Sequence, residues 1–360
     1  MNNNTKILTF LSMLELSNKK LEKIMEIVED EEIENPLKLA DNRDICDILS
    51  AEEYHELLRK CDARLVNSLF ENLEKDGIII LDKENENYPQ ALVDLPDAPM
   101  LLFCKGDVSL LNKNSISIVG TRMPTNYGKF ITEKFAEVLA KAGFVIVSGL
   151  AYGVDSLSHR KALEVDGKTI AVLGGGFNHI YPEVNTNLAN TIAEKGLLIS
   201  EYPPFAKPTK FTFPRRNRII AGLSKGVLIT EAGRKSGTIH TKEFALDYGR
   251  DLFAVPGNVN SSKSELPNLL IKSAQAECVL SGEDILEFYG ININKTEEKK
   301  TVSLNMDEQI IIDLLKKGEQ DFDYLAKNSN LPVNILNSYL TTLEIRGLIK
   351  RMPSKTFMLN

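Results

Sequence analysis

Residues 205–218, FAKPTKFTFPRRNR, combine positive charge with aromatic rings. Five cations and three phenylalanines occur there without an acid. Cations neutralise phosphates and flat rings offer stacking surfaces to unpaired bases, so this composition is typical of a site for single-stranded nucleic acid. The alternative is a lid whose phenylalanines, Phe205 and Phe211 in particular, belong to the core. The charge favours binding, because five cations are costly to explain as packing.

The chain as a whole is acidic. Its 360 residues carry a formal net charge of -7, so no general basic surface can attract duplex DNA. Any polynucleotide must therefore be bound locally. Residues 26–53 hold eleven acids against two cations. We favour a solvated helical face there over an acidic surface for a partner.

Cysteine usage and hydropathy bear on the compartment. The four cysteines are scattered without a CxxC pair, which indicates neither a metal site nor a disulfide framework. Free thiols fit a reducing cytoplasm. No apolar run has the length of a membrane span, and we find no export signal. We expect a cytoplasmic protein without a membrane anchor.

Apolar, β-rich runs alternate with helical segments through the middle of the chain. Such runs between helices predict a parallel sheet covered on both faces, and hence a doubly wound, Rossmann-like α/β domain over residues 111–289. The predicted strands are 115–119, 144–147, 169–173, 197–200, 226–230 and 251–255.

Other segments flank this domain. Residues 1–75 have helix-period apolar patterns and predict a small helical domain. Residues 76–110 are interrupted by prolines and predict an extended connection, and residues 290–303 predict a solvated linker. Residues 304–360 predict a winged helix. Its third helix, 333–345, contains no Lys or Arg, which favours protein contact or regulation over DNA reading.

In open α/β sheets, ligands bind beyond the carboxyl ends of the strands. After the first strand, Gly120 permits a tight turn and Arg122 can grip a phosphate at a helix start. The alternative is a simple turn with a surface arginine, and the residues alone do not choose between them. Further anion-binding candidates follow the second and fifth strands: Ser148, Gly149, Ser236, Gly237 and Thr238.

Asp155 and His159 also follow the second strand. The pair suits acid or base catalysis, but no nucleophile accompanies it, so we favour a capped helix with a packed histidine. The turns match neither GxGxxG nor GxxxxGK[ST], and neither NAD nor ATP is indicated. We expect no cofactor. The combined prediction is a groove at one sheet edge, built from Arg122, Ser148, Lys210, Phe213, Arg216, Arg218 and Ser236.

Seven motifs in order carry a family resemblance: GTRMPTNYG, VSGLAYGVDSLSH, TIAVLGGGFNHIYPEVN, SEYPP, FPRRNRIIAGLSKGVLITEA, SGT and FAVPGN. They closely resemble the DNA-processing protein A family, also called DprA or Smf. The resemblance covers nearly the whole α/β domain. The flanking domains are similar in architecture to those of many members, which implies a SAM-like or helix-hairpin-helix-like domain over residues 1–75.

The resemblance implies a non-enzymatic, single-stranded DNA-binding protein. Such a protein protects incoming strands in natural transformation and helps to load a RecA-type recombinase. It also implies a homodimer formed through residues 269–276. The residues that match the family's DNA-binding motifs are Gly120, Thr121, Arg122, Lys210, Phe213, Arg216, Asn217 and Arg218.

An enzyme is the rival interpretation. Residues 231–243, EAGRKSGTIHTKE, distantly resemble the loop of nucleotide-processing phosphoribohydrolases, which supplies a catalytic glutamate. Here the first glycines of that loop are missing, and Glu243 comes too late for the pattern. This interpretation predicts release of a free base from a nucleoside monophosphate.

Overall fold

A computed structural model describes residues 2–14, 16–291, 304–352 and 356–359. The chain divides into two compact units, residues 1–293 and 294–360. The predicted linker 290–303 lies, from residue 292 onward, outside the described residues.

The first unit begins with helices whose apolar faces form a common core. That core includes Leu101 and Phe103, with Ile80 packed against it, so the helices pack on the first two strands of the sheet. Local signals set the helix starts; Ser50 and Glu53, for example, form a reciprocal capping box. The helices are α1 (Asn3–Leu11), α2 (Asn18–Asp30), α3 (Arg43–Ile48), α4 (Ala51–Lys60) and α5 (Ala63–Lys75).

A nine-stranded sheet forms the centre of this unit. In the described part of the chain its strand order is β1-β2-β6-β5-β4-β3-β7-β8-β9. The strands from β6 to β9 in this order pair in parallel, and β1 and β2 are antiparallel. The strands are β1 (Ile79–Asp82), β2 (Leu101–Gly106), β3 (Ser115–Val119), β4 (Val145–Ser148), β5 (Thr169–Leu173), β6 (Leu197–Ser200), β7 (Gly226–Ile229), β8 (Asp251–Ala254) and β9 (Glu277–Cys278).

The structure corrects the prediction for residues 76–110. They are not merely an extended connection, because β1 and β2 belong to the central sheet. Phe103 of β2 lies opposite Ser200 of β6, and Ile80 of β1 lies opposite Phe103. The prolines between the strands interrupt the pattern, and the partner strand is almost one hundred residues away, so local sequence did not reveal the pairing.

Helices cover both faces of the sheet and bury the central strands. Every residue of β3, β4, β5, β6 and β7 is buried, as their apolar composition predicts. The doubly wound, Rossmann-like class is confirmed. The helices are α6 (Gln90–Val93), α7 (Asn126–Lys141), α8 (Val154–Glu164), α9 (Thr186–Lys195), α10 (Thr212–Leu223), α11 (Thr238–Asp247), α12 (Glu265–Lys272) and α13 (Gly282–Phe288).

The strand order reverses between β3 and β7. The chain runs outward from β3 through β4, β5 and β6, and then returns to place β7 on the other side of β3. Val119 lies opposite Ile229, so the turns after these two strands start side by side. Open α/β sheets bind ligands at such a switch point.

The second unit is a winged helix with its own core around Leu325 and Leu336. Its three-stranded sheet has the order β10-β12-β11. The predicted third helix is confirmed as α16. The elements are α14 (Met306–Leu315), β10 (Gln320–Asp321), α15 (Phe322–Asn328), α16 (Val333–Ile345), β11 (Ile349–Arg351) and β12 (Thr356–Leu359).

Within the described residues, every helix is too short or too polar to cross a membrane.

Candidate nucleic-acid interface

A groove of about 730 Å³ lies at the switch point, beyond the carboxyl ends of β3 and β7. Cationic, aromatic and hydroxyl side chains share its surface with backbone from two helix starts. The groove contains Gly120, Thr121, Arg122, Asp155, Tyr181, Thr209, Lys210, Phe213, Arg216, Asn217, Ser236, Gly237, Thr238 and His240.

A backbone hydrogen bond to the segment that follows β7 fixes the turn after β3. The N–H of Thr121 donates to the carbonyl oxygen of Glu231 at 2.7 Å, and a Cβ on Gly120 would lie 2.6 Å from that oxygen. Only glycine fits there. Arg122, the next residue along, is exposed at the groove. The structure thus presents Arg122 from a rigid turn.

Glu231 is a positioning residue that the sequence analysis missed. It is buried, and its carboxylate accepts hydrogen bonds from the N–H and the hydroxyl of Thr125 at 2.8 and 2.6 Å. Thr125 caps α7 by accepting from the N–H of Gly128. The sequence signal for Glu231 was an acid two residues after the apolar strand β7, where a buried carboxylate needs partners.

Arg216 lies beneath the groove on α10. The residue is buried, and its Nη1 donates to the carbonyl oxygens of Gly149, at 2.5 Å, and of Val172. Burial lowers the pKa of the Arg216 guanidinium to about 10, with nearby Asp155 opposing this and Arg122 adding to it. The guanidinium remains charged at neutral pH. Arg216 therefore adds positive charge beneath the groove, near Arg122.

Three of the predicted site residues lie elsewhere, and this corrects the proposed groove. Arg218 is 4% exposed; it pairs with Glu201 and donates to the backbone of Asp97. The Ser148 hydroxyl is buried and donates to the carbonyl oxygen of Ile118 at 2.7 Å. Gly149 is buried as well, and its role is to leave space for Arg216. Their polar groups serve the fold.

The aromatic part of the groove contains two rings. Phe213 is half-buried, and its ring centre lies 5.4 Å from that of Tyr181, at an interplanar angle of 51°. Tyr181 is 50% exposed. A Cβ on Gly174 would lie 2.8 Å from the Phe213 ring, so the glycine turn permits this packing. Tyr181 was missed, since its glycine-rich turn drew attention to backbone alone.

Lys210 and Phe211 are neighbours at the rim. The Lys210 Nζ lies 4.9 Å from the centre of the Phe211 ring, which is a cation–π contact. Phe211 is 73% exposed and Phe205 is 44% exposed. The alternative that these two phenylalanines belong to the core is therefore wrong.

The start of α11 completes the groove. Ser236, Gly237 and Thr238 all line it, as the sequence analysis placed them. The Ser236 hydroxyl oxygen is buried and lacks a hydrogen-bond partner within the described part of the chain. Asn217 donates from Nδ2 to the carbonyl oxygen of Gly237 at 3.4 Å. A phosphate at this helix start would meet a hydroxyl and a positive dipole end.

Asp155 and His159 do not form a catalytic pair. Asp155 accepts from the N–H groups of Gly149 and Ala151, at 3.1 and 3.4 Å, and so braces the loop after β4. Burial raises the pKa of Asp155, while Arg216 opposes that rise. His159 is wholly buried, with Nδ1 2.6 Å from the Thr169 hydroxyl, and burial lowers its pKa to about 3. The packed histidine is confirmed, but the predicted cap is wrong: the N-cap of α8 is Gly153, and the carboxylate of Asp155 binds the preceding loop instead of capping the helix.

Neither a metal cluster nor the acid of the rival enzyme interpretation lies in the groove, as far as the described residues show. They contain no group of three or more His, Cys, Asp or Glu side chains arranged to hold a metal ion. Glu243, the acid of the rival enzyme interpretation, lies 3.6 Å from His240 on the surface of α11 and does not line the groove.

Fold and groove together define a Rossmann-like α/β protein with a local cationic and aromatic groove and an appended winged helix. The model of the family "DNA recombination-mediator protein A" matches residues 79–290, and that of the "DprA winged helix domain" matches residues 295–355. The chain belongs to the DNA recombination-mediator protein A family, DprA/Smf. The family-level prediction is confirmed.

Relatives in sequence support this assignment. The chain is 44% identical over 214 residues to the DNA processing protein DprA of Bacillus subtilis, covering 59% of this chain and 72% of the relative. It is 38% identical over 271 residues to DprA of Streptococcus pneumoniae, covering 75% and 93%.

Solved structures agree. The Streptococcus pneumoniae DprA structure superimposes with a TM-score of 0.68 at 36% identity, covering 80% of this chain and 98% of that one. A Helicobacter pylori DprA structure, which describes that protein's single-stranded DNA binding mode, has a TM-score of 0.54 at 36% identity and covers 59% and 95%.

Proposed function

We propose that this protein binds single-stranded DNA in the switch-point groove and delivers the strand to a RecA-type recombinase. One observation carries the proposal: Arg122, Lys210 and Arg216 converge on a single groove that also contains Phe213. This convergence joins the turn after β3, which carries Arg122, to the loop and first turns of α10 in a chain with a net charge of -7.

Each part of the groove has a distinct task. Arg122, Lys210 and the Ser236 hydroxyl neutralise or bind phosphates, and Arg216 supplies positive potential from beneath. Phe213 and Tyr181 present ring faces to bases. Stacking of this kind tolerates any base, since every base has a π-face. The groove therefore suits a strand of arbitrary sequence.

The finer roles follow from the family and from the similarity to the Helicobacter pylori protein. We infer that the protein acts without catalysis in the cytoplasm, protects incoming strands during natural transformation, and forms a homodimer through residues 269–276. Leu269, on α12 in that segment, is 38% exposed and available for contact. Leu269→Asp should shift the protein toward monomer in sedimentation.

A salt titration tests strand binding directly. For a labelled oligothymidylate, log affinity should fall with log salt at a slope of about -1.4, since Arg122 and Lys210 each contribute about -0.7 by neutralising a phosphate. Arg122→Ala and Lys210→Ala should each flatten the slope by about 0.7. Phe213→Ala should weaken binding and leave the slope unchanged.

Lys113→Ala is the matched control. This exposed lysine precedes β3, at the end of the strand opposite the groove. Its removal should change neither affinity nor slope. Equal losses for duplex and single strands in all groove variants would contradict the proposal.

Recombinase delivery needs its own measurement. Filament assembly by a RecA-type protein on a strand coated with single-strand-binding protein should be faster in the presence of the wild type. The Arg122→Ala and Lys210→Ala variants should accelerate it less. An unchanged rate with the wild type would remove this part of the proposal.

A further inference from the structure

The loop that carries Lys210 borders a second depression, of about 720 Å³, between itself and the N-terminal helices. Apolar residues of α1 and α2 form one wall, and the loop forms the other. The charged and aromatic residues that line it are Lys60, Glu201, Tyr202, Phe205, Lys207, Phe211 and Arg215.

The depression is continuous with the groove. Thr209 lines both of them. Lys210 lines the groove, Phe211 lines the depression, and the Lys210 Nζ lies 4.9 Å from the Phe211 ring centre. A strand that leaves the groove at Lys210 meets Phe211 as the next surface.

Aromatic exposure distinguishes this depression from an ordinary surface hollow. Phe211 and Phe205 are 73% and 44% exposed, and Lys207 between them is exposed as well. Single exposed apolar residues are common, but two rings and a lysine on one loop form a patch. Rings next to cations are the composition that stacks bases.

The charges in this depression favour a polyanion. Its described lining includes three cations and one carboxylate, that of Glu201. Arg218 and Arg215 pair with this carboxylate, the latter at 3.2 Å. Lys60 lies 3.6 Å from Glu56. The net charge of the residues that line the depression is therefore positive, although the net charge of the whole chain is -7.

We propose that the depression is a second nucleotide subsite, which receives the continuation of the strand held in the groove. The inference rests on the proposed function. Bases beyond Lys210 stack on Phe211 and Phe205, and Lys207 neutralises a phosphate between them. The N-terminal helices then form one wall of the nucleic-acid path, and a strand too short to pass Lys210 does not reach them.

The test compares two strand lengths on the full-length protein. The probes are oligothymidylates of about four and about twelve nucleotides, which span the usual range of site sizes. Phe211→Ala should leave affinity for the short strand unchanged and lower that for the long strand by about fivefold or more. Phe211→Tyr should retain affinity, and Phe211→Leu should lose it, because leucine keeps apolar bulk without a stacking face.

Lys207→Ala provides an independent readout. It should flatten the salt slope by about 0.7 for the long strand and leave the slope for the short strand unchanged. Lys113→Ala, at the far end of the sheet, should alter neither. Phe213→Ala should weaken the binding of both strands, since Phe213 lies in the groove that both strands occupy.

The outcomes separate the two proposals. Equal loss on both strands in Phe211→Ala would mean that the ring acts only by holding Lys210, and the second subsite would be wrong. No loss on either strand would overturn it as well. If the wild type binds neither strand, the proposed function itself fails.

Discussion

The guanidinium of Arg216 donates a hydrogen bond to the carbonyl oxygen of Gly149 at 2.5 Å, tying α10 to the chain that leaves β4. This contact depends on the absence of a side chain at residue 149. An added Cβ would lie 2.2 Å from the Arg216 Nη1, well inside any van der Waals contact. The positions of the buried cation and of the glycine turn are therefore coupled.

Gly149→Ala should displace Arg216. We expect the free energy of unfolding to fall by about 1–3 kcal/mol through overpacking, and strand affinity to fall with it. Urea denaturation of the variant and the oligothymidylate titration measure the two effects. Gly237→Ala is the control for stability, because a Cβ there has no neighbour within 4 Å in the described structure and its φ is -61°. Unchanged stability in Gly149→Ala would contradict the coupling.

Tyr181→Ala should weaken strand binding by about 1 kcal/mol, roughly fivefold, through loss of a stacking face. The salt slope should not change, because no charge is removed. Tyr181→Phe keeps the ring and should bind as the wild type does. If Tyr181→Phe loses as much affinity as Tyr181→Ala, the hydroxyl rather than the ring face is responsible, and stacking is the wrong explanation.

Arg218→Ala should act on stability and not on the phosphate contacts. The Arg218 and Glu201 side chains are 5% and 9% exposed, so removing the arginine leaves a buried carboxylate without its main partner. The expected loss in free energy of unfolding is about 3–5 kcal/mol. Adding Glu201→Gln should recover part of it. If Arg218→Ala instead flattens the salt slope of strand binding by about 0.7 and leaves stability unchanged, Arg218 contacts a phosphate and this assignment is wrong.

Stability should decline with acid because of His159. Burial depresses the pKa of this histidine in the folded state from 6.5 to about 3, so between these values the unfolded chain binds the proton and the folded chain does not. The free energy of unfolding therefore decreases as pH falls below about 6.5, and it is lower by about 2 kcal/mol at pH 5. Above that value the histidine contributes no pH dependence.

Denaturation of the wild type and of His159→Gln between pH 7 and pH 5 measures this contribution. Glutamine does not titrate, so the variant should lose less stability over this window. Asp155 has the opposite effect: because burial raises its pKa, its contribution to stability increases as pH falls. Asp155 is present in both proteins, so this contribution cancels in the comparison. His240→Gln, at an exposed histidine, controls for the substitution. Parallel pH profiles for the wild type and His159→Gln would refute the assignment.

The amino-acid sequence determined the local features of this protein. Alternation of apolar runs with helical patterns predicted β3 to β8, and the composition of residues 205–218 predicted a local cationic and aromatic site. These inferences succeeded because strand burial and turn formation depend mainly on residues that are close together in the sequence. They also placed Arg122, Lys210 and Phe213 at one edge of the sheet, where the structure has them.

The tertiary structure decided which side chains share that site. Arg216 and Arg218 stand two positions apart on α10, so they face different directions: Arg216 lines the groove and Arg218 pairs with Glu201. Tyr181 meets Phe213 from a turn thirty-two residues earlier in the chain. The pairing of β2 with β6 likewise joins distant segments. Such contacts form only when elements distant in the sequence pack together. A sequence pattern can identify each residue as a candidate, but it does not show which residues contact each other.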